Sequence, residues 1–461
     1  MTLTRQLVQF ACQLKLQDIP AHTQRKLKLH ILDAVGCGWA ASSTLLAGQA
    51  RQAASLLGGH GKAMVFGSSE RHAAPAAAFA NAMIINALDH DDGVEINGKG
   101  LGHPGSSLIA AAMAALDQAS HAVPGVELLT ALAAGFEINN RLIHALQPSA
   151  GQFAKAYGVA QHQAIGAAIV YGVIARFDET TLHHAVGLAA TLTCVPSLHK
   201  YNWQARPLVT LKDGVASAAQ AGVQAACLAQ LGFVGSVDVL DGEQAYWRML
   251  GSDQFGTDQI NADLGRHWFI DYGSFKRYPA CRWLATALEC MESILQETGW
   301  QAEEIDDIRV ETFARLVNDF MDMAPANATD AQFSLPYTLA AVALRLPPGG
   351  AWYTDSAMSS PALQTLMTKV HAVIDPELEQ RMSGAGRMPG ARVLVRHRCG
   401  TVVTREQAVP IGSAARPVAE AEIVAKASQG IGRDVAAWLD DAMWQSDFLG
   451  AESMVGRVRY S

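Results

Sequence analysis

Arg392-Val-Leu-Val-Arg-His-Arg-Cys-Gly-Thr-Val-Val-Thr-Arg-Glu406 alternates apolar and polar side chains on both sides of a Cys399-Gly400 pair. Period-two alternation broken by a Gly-containing connection predicts a β-hairpin, with Arg392–Arg398 facing Thr401–Glu406 across two residues. Ile308-Arg-Val-Glu-Thr-Phe313 alternates in the same way. Helical patterns at Arg282–Glu297, Ser334–Leu346 and Ser360–Val373 lie between these strands, which predicts a sheet with helices on at least one face. This texture begins after Trp268, so an α+β domain is expected over 268–415.

Upstream the chain reads differently. Gln24–Ala41, Ala74–Leu88, Ser107–Ala119, Gly125–Ala145, Gln161–Ala175 and Gly214–Leu231 are Ala-rich and helical in pattern, with little strand-like alternation between them. Small apolar residues such as Ala110, Ala111, Ala112, Ala114 and Ala115 let helix axes approach closely. The tail, Ala419 to Gly450, turns helical again and is too short to stand alone. The expected fold is therefore mainly α with an inserted α+β domain: an all-helical domain of residues 1–267 and 416–461, and a smaller α+β lid of residues 268–415.

The 461 residues are 50% hydrophobic and 17% charged, enough apolar mass for a large core. Net charge is −8 and no Lys/Arg block could track a phosphate backbone, so nucleic acid is not an expected partner. The seven cysteines are scattered, with no C-x-x-C pair, which argues against a disulfide framework or a zinc site. The N-terminal stretch lacks the unbroken apolar centre of a signal peptide, and the longest apolar runs are too short or too interrupted to span a bilayer. A cytoplasmic protein without a membrane partner is expected.

Candidate chemistry gathers at three places. Asn86-Ala-Leu-Asp89-His90-Asp91-Asp92-Gly93 sets carboxylates and an imidazole where a helix ends, an unfavourable position for acids beside the negative helix terminus. A solvated acidic cap is the plain reading, and a metal site is the weakest, because His90 and His103 lack helical ligand spacing. Gly102-His103-Pro104-Gly105-Ser106-Ser107 then opens a helix, putting His103 near exposed amides that suit an anion. Finally, Lys276-Arg-Tyr-Pro-Ala-Cys281-Arg282 concentrates three cations in seven residues. Such cations lower the pKa of a neighbouring thiol and hold carboxylates. Dinucleotide, phosphate-loop and nucleophile-elbow fingerprints are absent.

The segments Ala87-Leu-Asp-His-Asp-Asp92, His103-Pro-Gly-Ser106, Gly135-Phe-Glu-Ile138, Lys276-Arg-Tyr-Pro-Ala-Cys281 and Phe333-Ser-Leu-Pro-Tyr337 resemble the MmgE/PrpD family in order and spacing. The resemblance implies a large helical domain with an α+β lid, a homodimer, and action on small di- or tricarboxylates without metal or organic cofactor. Its members include 2-methylcitrate dehydratase, cis-aconitate decarboxylase and iminodisuccinate epimerase. Carried over, Asp89, His103 and Lys276 match the family's site aspartate, histidine and lid lysine, and Lys212 matches a lysine before a Gly-Ala-rich helix. The chain departs at Gly93, where lyases of the family commonly have Thr; at Tyr157-Gly-Val-Ala-Gln-His162, where they have a second His; and at Cys281, where decarboxylases and some dehydratases have a His.

Removing a proton beside a carboxylate needs a base and preorganised cations. The expected reacting groups are His103, Asp89, Cys281 and Tyr157, with Lys276, Lys212, Arg277, Arg282, Asp91 and His162 around the substrate. A dehydratase pairs His103 with Tyr157, His162 or Asp91; an epimerase pairs it with Cys281. Dehydration is the first expectation and epimerisation the second, with decarboxylation or a non-catalytic binder behind.

Overall fold

The computed structural model describes residues 1–96, 99–100, 102–153, 155, 160–193, 206–384 and 386–455. The chain is mostly helical with a small sheet-containing region. The helical body is built on α1 (Ala21–Ala41), α2 (Ala74–Ile85), α3 (Pro104–Gln118), α4 (Gly125–Ala145), α5 (Gln163–Ile174) and α6 (Val215–Gln230). Pro75 and Pro104 sit in the first turns of α2 and α3, where the missing N–H costs nothing. Small residues set the helix spacing: a Cβ on Gly135 of α4 would lie 2.2 Å from Val170 on α5, and one on Gly222 of α6 would lie 2.4 Å from the Ala164 carbonyl. A Cβ on Gly166 of α5 would likewise lie 2.8 Å from Leu108 on α3, and the N-terminal ends of α3 and α5 carry His103 and His162.

The motif loop after α2 runs into β1 (Gly93–Ile96), which pairs antiparallel with β2 (Gly273–Ser274), Gly93 opposite Ser274 and Val94 opposite Gly273. This short ladder joins the helical body to the start of the sheet-bearing region. Nothing in the alternation of either segment announces it.

The main sheet comprises β3 (Ile305–Thr312), β4 (Val370–Ile374), β5 (Ala391–His397) and β6 (Val402–Gln407) in the order β6-β5-β3-β4. Ile305, Ile308 and Val310 of β3 and Val393 and Val395 of β5 point inward, and Leu288, Met291 and Ile294 of α7 (Ala285–Thr298) are buried on that side. Such one-faced burial yields the alternation seen in the sequence. α8 (Leu335–Ala343) follows the Ser334 cap, whose hydroxyl accepts from the Tyr337 amide.

Three details correct the sequence reading. The hairpin connection is longer than two residues, because the strands end at His397 and begin again at Val402. The helix expected over Ser360–Val373 stops at Met367, and Val370–Ile374 instead forms β4, parallel to β3. The tail is helical in pieces, α9 (Glu420–Ile431) and short helical turns at Ala436–Leu439, Asp441–Trp444 and Ala451–Val455, with a two-residue strand at Asp447–Phe448 that interrupts them. α9 lies on α1 so closely that a Cβ on Gly36 would be 2.6 Å from the Ala427 Cα. Among the described residues no single helix is long and apolar enough to cross a membrane.

Candidate active site

A cleft with about 950 Å³ of empty volume, including its open mouth, lies where the motif loop, the start of α3 and the segment after β2 meet. Asp89, His103, Lys276, Arg277, Cys281 and Arg282 line it, so residues far apart in sequence converge. Phe153, Trp283 and Phe333 supply apolar wall.

The acidic motif is folded inward rather than solvated: Asp89, Asp91 and Asp92 are all buried. Each carboxyl has a distinct task. Asp91 accepts from Asn86 Nδ2 at 3.0 Å and from Ser106 Oγ at 2.7 Å, and it does not line the cleft. Asp91, expected around the substrate, ties the motif loop to α3, and its Oδ2 lies 3.7 Å from His103 Nδ1. Asp92 accepts from the Gly105 amide at 2.9 Å, occupying the helix terminus that the sequence reading offered to an anion. Its other oxygen lies 2.5 Å from His30 Nδ1, and neither side chain is exposed. Burial, then the neighbouring Asp91 charge, push Asp92 up to about 8, while burial, then Lys26, pull His30 down to about 3.

That displacement has a definite sign. The unfolded chain releases the Asp92 proton near pH ~4 and the folded chain near 8, so the folded state holds the extra proton in between. The contribution to stability is complete below this window and lost as pH rises through it. His30, pulled down to about 3, contributes the opposite slope below its ordinary value, so Asp92→Asn is expected to flatten the dependence of Tm on pH between about 6.5 and 8. Superimposable melting profiles for the two proteins would contradict the assignment.

His103 occupies the N-cap of α3 and is mostly buried. Its Nδ1 lies 2.8 Å from the Asp92 carbonyl oxygen, which can only accept, so Nδ1 carries the proton and Nε2 is left with its lone pair. Nε2 lies 3.9 Å from Asp213 Oδ2. Asp213, which the sequence reading did not identify, also lines the cleft. Asp89 and Asp213 have φ of 51° and 61°, a left-handed backbone that is costly for side chains other than Gly, Asn and Asp and that concentrates at functional sites.

Lys276 Nζ donates to Asp89 Oδ2 and to the Asp89 carbonyl, both at 2.9 Å. Arg282 lines the cleft; its Nε donates to Glu95 on β1, and its Nη1 is buried without a partner among the described residues. Arg277 also borders the cleft, but its guanidinium pairs with Glu422 at 2.7 Å. These cations pair with Asp89, Glu422 and Glu95, and the lowering that Lys276 exerts on the neighbouring thiol is outweighed. Burial, then Asp89, push Cys281 up to about 12, and it stays a thiol. Gln332, just before the Phe333-Ser-Leu-Pro-Tyr337 segment, fixes the cysteine's place: its carbonyl accepts from the Cys281 amide at 3.0 Å and its side-chain amide donates to the Ala87 carbonyl at 2.8 Å.

His162 is buried at the N-cap of α5 and is not part of the cleft lining; burial pulls it down to about 3. Tyr157 and the Lys212 side chain lie outside the described residues. Asp89, His103 and Asp213 each offer one ligand atom within 4.8 Å of the others, a set that could hold a cation only by competing with Lys276 for Asp89.

Comparison with known proteins places this geometry in a family. The cis-aconitate decarboxylase of Homo sapiens is 24% identical over 286 residues, covering 59% of this chain and 56% of that protein. The cis-aconitate decarboxylase-like protein oryM of Aspergillus oryzae (strain ATCC 42149 / RIB 40) is 24% identical over 434 residues, 89% of this chain and 86% of that protein. The Mus musculus cis-aconitate decarboxylase is 25% identical over 293 residues, 59% of this chain and 55% of that protein. The chain thus spans just over half the length of the human and mouse proteins and most of the fungal one. Residues 5–257 match the MmgE/PrpD N-terminal domain and residues 278–436 the MmgE/PrpD C-terminal domain, and with both halves matched in order the chain belongs to the MmgE/PrpD family.

Proposed function

We propose that this protein is a lyase that removes a proton next to a carboxylate of a small polycarboxylate, with a 2-methylcitrate-like hydroxy acid as the first substrate to test. One observation carries the reading: His103, whose Nδ1 is engaged by the Asp92 carbonyl so that Nε2 is the ring nitrogen left for substrate, lines the same cleft as Lys276 and Arg282. Lys276 anchors a substrate carboxylate, and the Arg282 guanidinium stabilises the enediolate that forms as His103 Nε2 takes the proton. The electron pair becomes the new C=C bond as the neighbouring hydroxyl leaves, and the Cys281 thiol donates the proton that converts it to water. Imidazolium and thiolate return to neutral by exchange with solvent.

His103 and Cys281 come from the helical body and the sheet-bearing region respectively, which also favours a second reading. If the Cys281 proton is delivered to carbon on the opposite face, the same pair inverts a stereocentre, as an epimerase of an iminodisuccinate-like acid would. The names of the relatives add release of CO₂ from cis-aconitate as an activity to be measured.

The test is incubation with 2-methylcitrate, iminodisuccinate and cis-aconitate in heavy water. Absorbance of an unsaturated acid is expected for the lyase. Deuterium in recovered substrate without new product identifies the epimerase, CO₂ from cis-aconitate the decarboxylase, and inertness toward all three sinks the reading. With the active substrate, Lys276→Ala is expected to raise KM roughly 10- to 100-fold, the worth of a charge-assisted hydrogen bond, with kcat little changed. A fall in kcat at constant KM would move Lys276 from anchoring to transition-state stabilisation.

A further inference from the structure

Lys426, on α9 and more than three hundred residues from the acidic motif, was not singled out by the sequence. Its Nζ lies 2.5 Å from Asp33 Oδ1 on α1, 2.9 Å from the His90 carbonyl oxygen and 3.2 Å from the Lys276 carbonyl oxygen. An ammonium has three donors and no acceptor, so one point charge faces one carboxylate and two peptide groups. Asp33 is wholly buried, and Lys426 supplies the charge that offsets it. Burial lowers the tendency of Lys426 to stay charged, but Asp33 and its neighbours outweigh that and hold it above its ordinary value.

The two carbonyls are placed tellingly. Lys276 Nζ grips the Asp89 backbone and carboxylate, while Lys426 grips the next carbonyl along, that of His90, and the backbone of Lys276 itself. A closed ring of contacts results, in which Lys276 is held at its head by Asp89 and at its backbone by Lys426. We infer that Lys426 is a positioning residue that fixes Lys276 relative to the Asp89–Asp92 loop and hence to His103. This makes the family's C-terminal helix part of the site's geometry without contacting substrate. The inference rests on the proposed anchoring role of Lys276 for its binding consequence, and on coordinates alone for its structural one.

Lys28 provides a matched control. It too runs from α1 to the C-terminal segment, with Nζ 2.5 Å from Asp441 Oδ1 and 3.4 Å from the Leu439 carbonyl oxygen, but it touches no part of the site. Two measurements on the full chain test the idea. In hydrogen–deuterium exchange, Lys426→Met is expected to speed exchange several-fold in peptides covering residues 88–93 and 274–281, and Lys28→Met to leave both unchanged. In titration with citrate, Lys426→Met is expected to weaken binding at least ten-fold in the wild-type background and to have no further effect in a Lys276→Ala background.

Unchanged exchange in the two peptides, or equal weakening in both backgrounds, overturns the inference. If Lys426→Met does not fold, Lys426→Arg takes its place. It keeps the charge opposite Asp33 but alters the reach to the two carbonyls, and faster exchange is expected with a Tm near wild type. A wild-type protein that binds no polycarboxylate counts against the proposed function, while the exchange data still decide the role of Lys426.

Discussion

His103→Ala is expected to lower turnover of the active polycarboxylate by about 10²- to 10⁴-fold, the usual contribution of a positioned base. The far-ultraviolet circular dichroism spectrum should be unchanged. His103 makes no side-chain capping hydrogen bond to α3, and the Gly105 amide at that helix end is satisfied by Asp92, so removing the imidazole leaves the helix start intact. Added imidazole should restore part of the activity of the variant, because the space vacated opens on the cleft. Retained turnover in His103→Ala would remove this residue from the reaction and leave Asp213, its neighbour at 3.9 Å, as the base to examine.

The largest effect on stability is expected at Arg141. Its side chain is fully buried on α4, pairs with Glu137 at 2.6 Å, and donates to the carbonyls of Ile260, Ala262 and His267 at 2.8, 2.7 and 2.5 Å. Glu137 in turn accepts from the Phe269 amide at 2.8 Å and the Ile270 amide at 3.3 Å. This buried pair braces the stretch that leads from the helical body into β2 and Lys276. Burial pushes Glu137 up to about 7 even with the guanidinium beside it. Arg141→Met strands that carboxyl and several carbonyls, at a cost of about 3–5 kcal/mol. Urea unfolding at pH 8 should show the full loss, and Glu137→Gln should recover part of it by removing the stranded charge. A loss under about 1 kcal/mol would mean that the pair contributes little, as exposed ion pairs do.

Much of the architecture was legible because one-sided burial writes itself into sequence. The hairpin of β5 and β6 alternates because Val393 and Val395 face the core while their neighbours face water. The Ala-rich helices reveal themselves by small residues such as Gly135 and Gly222, whose missing side chains admit a neighbouring helix. β4 was not legible, since its parallel partner β3 lies some sixty residues earlier and Val370-His-Ala-Val-Ile374 continues a helical pattern as readily as it forms a strand. The site divides the same way. Asp89, His103 and Lys276 stand in dense local motifs, whereas Asp213, Arg282's partner Glu95, and Lys426 acquire meaning only when the chain closes on itself. Local crowding of cations around Cys281 is a poor guide to its acidity, because burial, then the Asp89 charge from a distant segment, outweigh Lys276 at the sulfur.

The left-handed backbone at Asp89 and Asp213 bears on how any substitution library of this protein should be interpreted. Most replacements at these two positions will be poorly tolerated for steric reasons before carboxylate chemistry is ever interrogated, and Glu, which preserves charge, inherits that penalty while Asn largely escapes it. Intolerance there is thus ambiguous evidence for catalysis, and the amide replacement is the informative one.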